Sequence, residues 1–184
     1  MDSIATCIQS EHGVSLSSLG IKDAQTVVAG GGRAAPVRII GVQVFDLGNV
    51  ITRSGWMLEV FRTDRPVCPI TIQQVNWVML SPGAVTDWHC HSEQIDHLIG
   101  VGGNIKLALW DGRNDSSTNG KYEVVRVGAM RPAMVVVPPG VWHGLRNESG
   151  VPAGYINVTD RLYNHQNPDN WRLKPGAGEI PDIL

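Results

Sequence analysis

The chain has 184 residues, 17% of them charged, and a formal net charge of −2 at pH 7. This length predicts a single domain with its own core, and the near-neutral charge disfavours nucleic-acid binding, which needs clustered lysine and arginine. Because there is no signal peptide and no apolar run of roughly 20 residues, we expect a cytoplasmic protein without a membrane span.

Residues 1–36 show no sustained hydrophobic periodicity and are predicted to form an N-terminal arm or linker. They contain Gly30, Gly31 and Gly32 in succession. A triple glycine can hold phosphate when a strand precedes it and a helix follows. Here Pro36 follows, so a linker is favoured, and residues 37–184 are predicted to form the one domain.

From position 37 onward, short β-rich runs alternate with turn residues, and no amphipathic helix is apparent between them. Eight strands are predicted, at 37–45, 56–61, 70–80, 95–101, 105–110, 122–127, 134–137 and 155–158. Such a pattern is typical of an all-β sandwich, jelly roll or small barrel. The tail, residues 161–184, is expected to wrap around the outside as turns or a short helix.

Four of the six histidines fall between positions 89 and 143. His89 and His91 alternate along one strand and can therefore share a face. Asp96 follows on the next strand, and His143 comes after a Pro-Gly turn. Three imidazoles and one carboxylate suit a divalent transition metal such as Fe, Mn, Ni, Zn or Cu, with positions left open for substrate.

Several neighbours of these residues have alternative interpretations. Glu93 could replace Asp96 as the carboxylate, although its place in a turn disfavours it. His97 is expected to face away from the cavity, and Cys90 is expected to be a buried thiol rather than a nucleophile. Asp111 and Arg113 fit a structural pair and a ligand contact equally well.

The spacing of the histidines resembles the two sequence motifs of the cupin superfamily. The motif positions are filled by Gly83, His89, His91, Asp96 and Gly103 in the first motif, and by Pro138, Gly140, His143 and Asn147 in the second. Every residue type matches except Asp96, where the motif usually has glutamate. The resemblance implies a cupin jelly roll, also called a double-stranded β-helix.

Residues outside the metal motif resemble dTDP-4-dehydrorhamnose 3,5-epimerase and its relatives, over about positions 44–181. The resemblance rests on Arg53-Ser54-Gly55, Glu59, Gln74-Val75-Asn76, Asp111-Gly112-Arg113, Thr159-Asp160 and Tyr163. It implies a homodimeric enzyme that epimerises a sugar or nucleotide sugar beside a carbonyl group. By the same resemblance His89 is the catalytic histidine, and substrate is held by Arg53, Glu59, Gln74 and Asn76.

Three positions depart from the epimerase pattern. Thr86 stands in place of an arginine, Asp96 in place of the lysine that stabilises an enolate, and Ile156 in place of the tyrosine that returns a proton. Tyr155 is adjacent to Ile156 but on the opposite face of a regular strand. A carboxylate beside His89 would repel an enolate, but it also completes a metal site whose cation could stabilise one.

The first hypothesis is therefore a metal-binding sugar epimerase or isomerase with the cupin fold. Two alternatives use the same cavity: an Fe(II)-dependent cupin oxygenase acting on a small molecule, and a non-catalytic sugar-binding cupin.

Overall fold

The computed structural model describes residues 21–22, 38–64, 71–174, 180 and 184. The described strands are β1 (Gln43–Asp46), β2 (Asn49–Thr52), β3 (Gly55–Leu58), β4 (Gln74–Leu80), β5 (His89–Cys90), β6 (Asp96–Gly102), β7 (Asn104–Asp111), β8 (Tyr122–Gly128), β9 (Ala133–Val137), β10 (Val141–Asn147), β11 (Ala153–Thr159) and β12 (Trp171–Arg172). No helix occurs among the described residues. They therefore contain no helix that is long and apolar enough to cross a membrane.

Residues Val37–Leu184 form one compact unit. The predicted arm at 1–36 lies outside the described residues except for Ile21 and Lys22. The division of the chain at position 36 therefore stays a prediction, as does the homodimer.

Two five-stranded antiparallel sheets face each other. One has the strand order β1-β9-β6-β11-β4, the other has the order β12-β5-β10-β7-β8, and β2 and β3 form a separate hairpin. Strands consecutive in the chain from β4 to β11 mostly belong to opposite sheets, which is the connectivity of a jelly roll. The predicted all-β jelly roll is confirmed.

Each predicted strand overlaps an observed one, but four observed strands were not predicted. These are β2, β5, β10 and β12. Strands β5 and β12 have only two residues each, too short to appear as β-rich runs. The alternation of His89 and His91 had indicated an extended segment at β5, and His91 lies one residue beyond its end. In β10 a glycine and a buried histidine interrupt the β-branched pattern. The described part of the tail, residues 161–174, consists mainly of bends and irregular segments with no helix, and it also contributes β12 to the second sheet.

Alternation along β6, β9 and β11 builds two apolar layers, one on each face of the first sheet. Leu98 and Val135 point between the two sheets and join the main core. Ile99 and Met134, their chain neighbours, point to the other face, where the residues after β3 cover them. Burying one such side chain contributes about 2 kcal/mol to the stability of the fold. Because a shift of one residue would expose both layers, they fix which face of the sheet each residue of these strands points to.

The turn between β9 and β10 requires glycine. Gly140 has a φ of +78°, in the left-handed region, and a β-carbon there would lie 2.7 Å from the Arg113 Cγ atom. The turn starts β10 at Val141, and this sets which residues of β10 face the interior. His143 is one of them and is buried.

The pair formed by Asp111 and Arg113 is structural. The buried Asp111 carboxylate accepts hydrogen bonds from Arg113 Nε at 2.8 Å, Ser116 Oγ at 2.6 Å and Thr118 Oγ1 at 2.6 Å. Burial alone would raise the pKa of Asp111, but these donors hold it below its usual range. The carboxylate therefore holds the loop between β7 and β8 in place.

We expect Asp111→Ala to lower the free energy of unfolding by about 3 kcal/mol, because it leaves a guanidinium and two hydroxyls without their buried acceptor. Urea unfolding at pH 7 measures this loss. Since the folded-state pKa of Asp111 is lowered, its stabilising effect is complete above the unfolded value of about 3.9 and is lost below it. The deficit should therefore shrink as the pH falls below about 4, and a pH-independent deficit would contradict this account.

Candidate active site

Three histidines and one aspartate meet between the two sheets. His89 on β5 lies directly opposite His143 on β10 in the antiparallel register, so the two side chains share a face. His91 follows two residues later, and Asp96 begins β6 in the facing sheet. One ligand atom from each of the four lies within 4.8 Å of all the others. The structure thus brings together the complete predicted ligand set.

Each of the three imidazoles is oriented in the same way. In every ring Nδ1 lies against a backbone carbonyl oxygen, to which it can donate its proton. The acceptors are Asp87 for His89 at 3.1 Å, Val141 for His143 at 3.1 Å, and Asp169 for His91. A proton on Nδ1 leaves Nε2 with a free lone pair, and this is the usual arrangement of metal-binding histidines.

The Asp96 carboxylate is held by one oxygen and presents the other to the histidines. Its Oδ1 accepts from Gln94 Nε2 at 2.7 Å and from Asn157 Nδ2 at 3.0 Å. Its Oδ2 lies 3.2 Å from His91 Nε2 and 3.1 Å from His143 Nε2. With the Nδ1 protons placed as above, lone pairs face each other across these short distances. Either a proton on one of the imidazoles or a bound cation would stabilise this arrangement.

The buried atoms of the cluster favour a bound cation. Among the described residues, Asp96 Oδ2 and His143 Nε2 are fully buried and, apart from lying 3.1 Å from each other, have no hydrogen-bond partner. Buried polar atoms without a partner are rare and costly, and in many proteins a bound ion satisfies them. Two imidazole nitrogens and a carboxylate oxygen, with His89 as a further ligand, fit a divalent transition metal.

The protonation of the cluster also fits metal binding. Burial, followed by repulsion from His143, lowers the pKa of His89 to about 3, so this ring is neutral at pH 7. Burial opposes ionisation of Asp96, but its close contacts with His143 and His91 hold its pKa well below the usual range. Burial lowers the pKa of His91, but the contact with Asp96 outweighs burial and raises it. The carboxylate is therefore charged and His89 is neutral, which are the states in which these two groups bind a metal ion, and His91 would release its proton on binding.

A polar cavity of about 1030 Å³ opens above the cluster. His89 and His91 form part of its wall, and amide, hydroxyl and phenol groups from β4 and β11 form much of the rest. These groups belong to Gln74, Asn76, Tyr155, Asn157 and Thr159. The segment 160–172, which leads from β11 to β12, supplies a further wall. The cavity is therefore built from both sheets and the C-terminal tail.

Two of the four predicted substrate residues line this cavity. Gln74 donates from Nε2 to Asn76 Oδ1 at 2.9 Å, and its Oε1 accepts from the backbone of Tyr163 at 2.8 Å. Arg53 lies in the exposed turn between β2 and β3, and Glu59 follows β3; neither lines the cavity. Their role in holding substrate stays a prediction.

The other residues that the sequence analysis considered for the site, Glu93, His97 and Cys90, lie outside the cluster of three histidines and Asp96. Glu93 is exposed and pairs with Arg161 at 3.2 Å, outside the cluster, so Asp96 is the carboxylate of the site. His97 points to the other face of β6, where its ring packs edge-on against Phe61. Cys90 is buried, and burial raises its pKa to about 11, so it remains a thiol.

Two residues of the site were not found by sequence reasoning. The family pattern puts the tyrosine position at Ile156, but this residue faces the apolar layer on the other side of the sheet, and Tyr155 lines the cavity instead. Alternation from Asn157, which contacts Asp96, could have indicated this. Asp169 was missed because it contacts the turn after His91 across 75–77 residues of sequence, and no periodic pattern marks it.

Comparisons with known proteins relate the chain to sugar epimerases. No protein-family model matches it. It is 33% identical over 133 residues to the probable low-salt glycan biosynthesis epimerase Agl13 of Haloferax volcanii, covering 72% of this chain and 85% of that one. It is 31% identical over 135 residues to the spore coat polysaccharide biosynthesis protein SpsL of Bacillus subtilis, covering 73% and 89%.

A solved structure gives the same relation. The dTDP sugar isomerase of Desulfovibrio desulfuricans superimposes with a TM-score of 0.72 at 26% identity, covering 78% of this chain and 90% of that one. The jelly roll that frames the cluster is therefore shared with this isomerase.

Proposed function

Because the chain belongs to the dTDP-4-dehydrorhamnose 3,5-epimerase-like family of cupin sugar epimerases, we propose that it epimerises a nucleotide sugar at a carbon beside a carbonyl group, with a divalent metal ion in the site. The observation that carries the metal part is that one ligand atom from each of His89, His91, Asp96 and His143 lies within 4.8 Å of all the others, while each imidazole Nδ1 lies against a backbone carbonyl.

The cavity has groups for both parts of a nucleotide sugar. Arg161 and Arg172 line it together with the amides of Gln74 and Asn76. Guanidinium groups suit a diphosphate because they donate paired hydrogen bonds, and amides suit sugar hydroxyls. A relative named as a dTDP sugar isomerase supports the same class of substrate.

The metal would be held by His89, His91, Asp96 and His143. When bound, a divalent cation is a Lewis acid that stabilises negative charge on a carbonyl oxygen. This would replace the positive charge that the family's lysine provides and that Asp96 removes. The side-chain amides of Gln94 and Asn157 hold the Asp96 carboxylate in place by donating hydrogen bonds to its Oδ1.

His89 has one lone pair and two predicted roles. The Nε2 lone pair can bind a metal ion or accept a proton from the substrate, but it cannot do both at once. With its Nδ1 proton held by the Asp87 carbonyl, the ring resembles the other two ligands. We therefore assign His89 to the metal in the substrate-free site; in the reaction its Nε2 would leave the metal to His91, Asp96 and His143 and accept the proton from the substrate carbon.

Tyr155 is the group we assign to proton transfer. Its phenol lines the cavity, and among the described residues its hydroxyl has no hydrogen-bond partner, so it is free to contact substrate. Burial, followed by the charge of Asp96, raises the pKa of Tyr155 to about 12. The hydroxyl is therefore protonated at neutral pH and can donate its proton to a carbon of an enolate.

Solvent deuterium uptake tests the proposed function. Metal-loaded protein is incubated in D₂O with a dTDP-4-keto-6-deoxy sugar and with the same sugar lacking the nucleotide. We expect deuterium at a carbon beside the ketone of the nucleotide sugar, loss of uptake after chelation, and recovery with one of Fe, Mn, Ni, Zn or Cu.

Other outcomes would overturn separate parts of the proposal. Absence of uptake in the metal-loaded protein would contradict epimerisation of this substrate. Uptake that survives chelation would contradict the metal part and leave His89 as a base that needs no metal. Consumption of oxygen by the iron-loaded protein would favour the oxygenase alternative.

A further inference from the structure

The turn between β5 and β6 is held by one residue from the C-terminal tail. The Asp169 carboxylate accepts four hydrogen bonds from this turn. Its Oδ1 accepts from Ser92 N at 2.8 Å and Ser92 Oγ at 2.6 Å, and its Oδ2 accepts from Glu93 N at 2.8 Å and Gln94 N at 3.1 Å. Ser92 and Glu93 are themselves exposed, so core packing does not fix this turn.

The same residue also contacts a ligand of the cluster. The backbone carbonyl of Asp169 accepts the hydrogen bond from His91 Nδ1. Gln94, the third residue of the turn, donates from its side chain to Asp96 Oδ1 at 2.7 Å. Asp169 thus fixes the ring of one ligand through its backbone, and supports a second ligand through the turn that its side chain holds.

We propose that Asp169 is a positioning residue, which aims His91 Nε2 at Asp96 Oδ2 and so joins the C-terminal wall of the cavity to the metal-binding cluster. The consequence for metal affinity rests on the proposed function, whereas the orientation of the His91 ring does not. Without the carboxylate, three backbone N–H groups lose their acceptor, and the Asp169 carbonyl is no longer held against the ring. His91 can then rotate away from Asp96.

A purely structural role would have a different result. Asp111 provides the matched control, because its carboxylate also holds a loop through several donors but contacts none of the four ligand side chains among the described residues. Asp111→Asn should lower stability without changing the cluster. If Asp169 only stabilised the fold, its variants would behave like Asp111→Asn.

The test compares Asp169→Ala, Asp169→Asn and Asp111→Asn with wild-type protein. Co²⁺ binding is titrated by visible absorption, and the imidazole ring signals of the metal-free proteins are followed by ¹H–¹⁵N NMR. We expect Asp169→Ala to bind Co²⁺ roughly 10- to 100-fold more weakly, as loss of an outer-shell partner does. The slowly exchanging Nδ1 proton of His91 should disappear, while those of His89 and His143 remain.

The milder variant keeps the proposal testable if Asp169→Ala fails to fold. Asn retains one acceptor oxygen, so Asp169→Asn should show an intermediate Co²⁺ affinity and a weakened His91 signal. Wild-type Co²⁺ affinity together with an intact His91 signal in the Asp169 variants would overturn the proposal. If wild-type protein binds no Co²⁺, the metal part of the proposed function fails, and the His91 signal alone decides the role of Asp169.

Discussion

Asp96→Asn is expected to remove the metal ion and to lower kcat/KM by at least about 10³-fold. Asparagine keeps the shape of the side chain, and its Oδ1 can still accept from Gln94 and Asn157. Its Nδ2 would then face His91 and His143 and donate hydrogen bonds to their Nε2 atoms. In the variant, the Nδ2 protons would occupy the Nε2 lone pairs of His91 and His143 that the proposed cation would bind in the wild type. The variant should therefore fold normally and stay free of metal.

Metal content and deuterium uptake measure this prediction in the same preparation. Asp46→Asn is a matched control, because Asp46 is an exposed aspartate that pairs with Arg131 at 3.2 Å and lies outside the cavity. The control should retain full metal content and activity. A metal-loaded, active Asp96→Asn protein would show that the carboxylate is not a ligand.

Tyr155→Phe is expected to lower kcat by about 10²- to 10³-fold, the range usual for loss of a group that transfers a proton. KM should change little, because the ring still fills its place between β11 and the main core, and only the hydroxyl is missing. The metal content should equal that of the wild type, since Tyr155 is not among the ligands. This combination separates proton transfer from binding and from metal retention.

Steady-state kinetics with the nucleotide sugar measure the effect of Tyr155→Phe. Tyr122→Phe provides the control, since Tyr122 is exposed on β8 and does not line the cavity. A Tyr155→Phe enzyme with wild-type kcat would assign the proton transfer to another group.

The four residues of the candidate metal site could be predicted from sequence because their geometry is local. Alternation places His89 and His91 on one side of the chain whatever surrounds them, and the Pro-Gly turn starts the strand that carries His143. Their spacing was sufficient to resemble the cupin motifs, and the structure brings all four ligands together. The two substrate residues on a regular strand, Gln74 and Asn76, also reach the cavity for this reason.

Residues outside regular strands, and the exact register within a strand, were harder to predict. Arg53 and Glu59 match the family pattern, but the hairpin that carries them lies outside the cavity of this chain. Ile156 matches the tyrosine position by count, yet a strand has two faces, and a displacement of one residue moves a side chain to the opposite face. Position along the sequence alone could not separate Tyr155 from Ile156.

The sequence by itself thus determined the all-β class, most of the strands and the four residues of the candidate metal site, because these depend on turn residues and on the two-residue period of a strand. Only the tertiary structure decided that Tyr155 faces the cavity, that Asp169 contacts His91, and that the Nδ1 atom of each imidazole lies against a backbone carbonyl. These features depend on contacts between residues far apart in the sequence and on backbone carbonyls, which every residue has and which no pattern of side chains can mark.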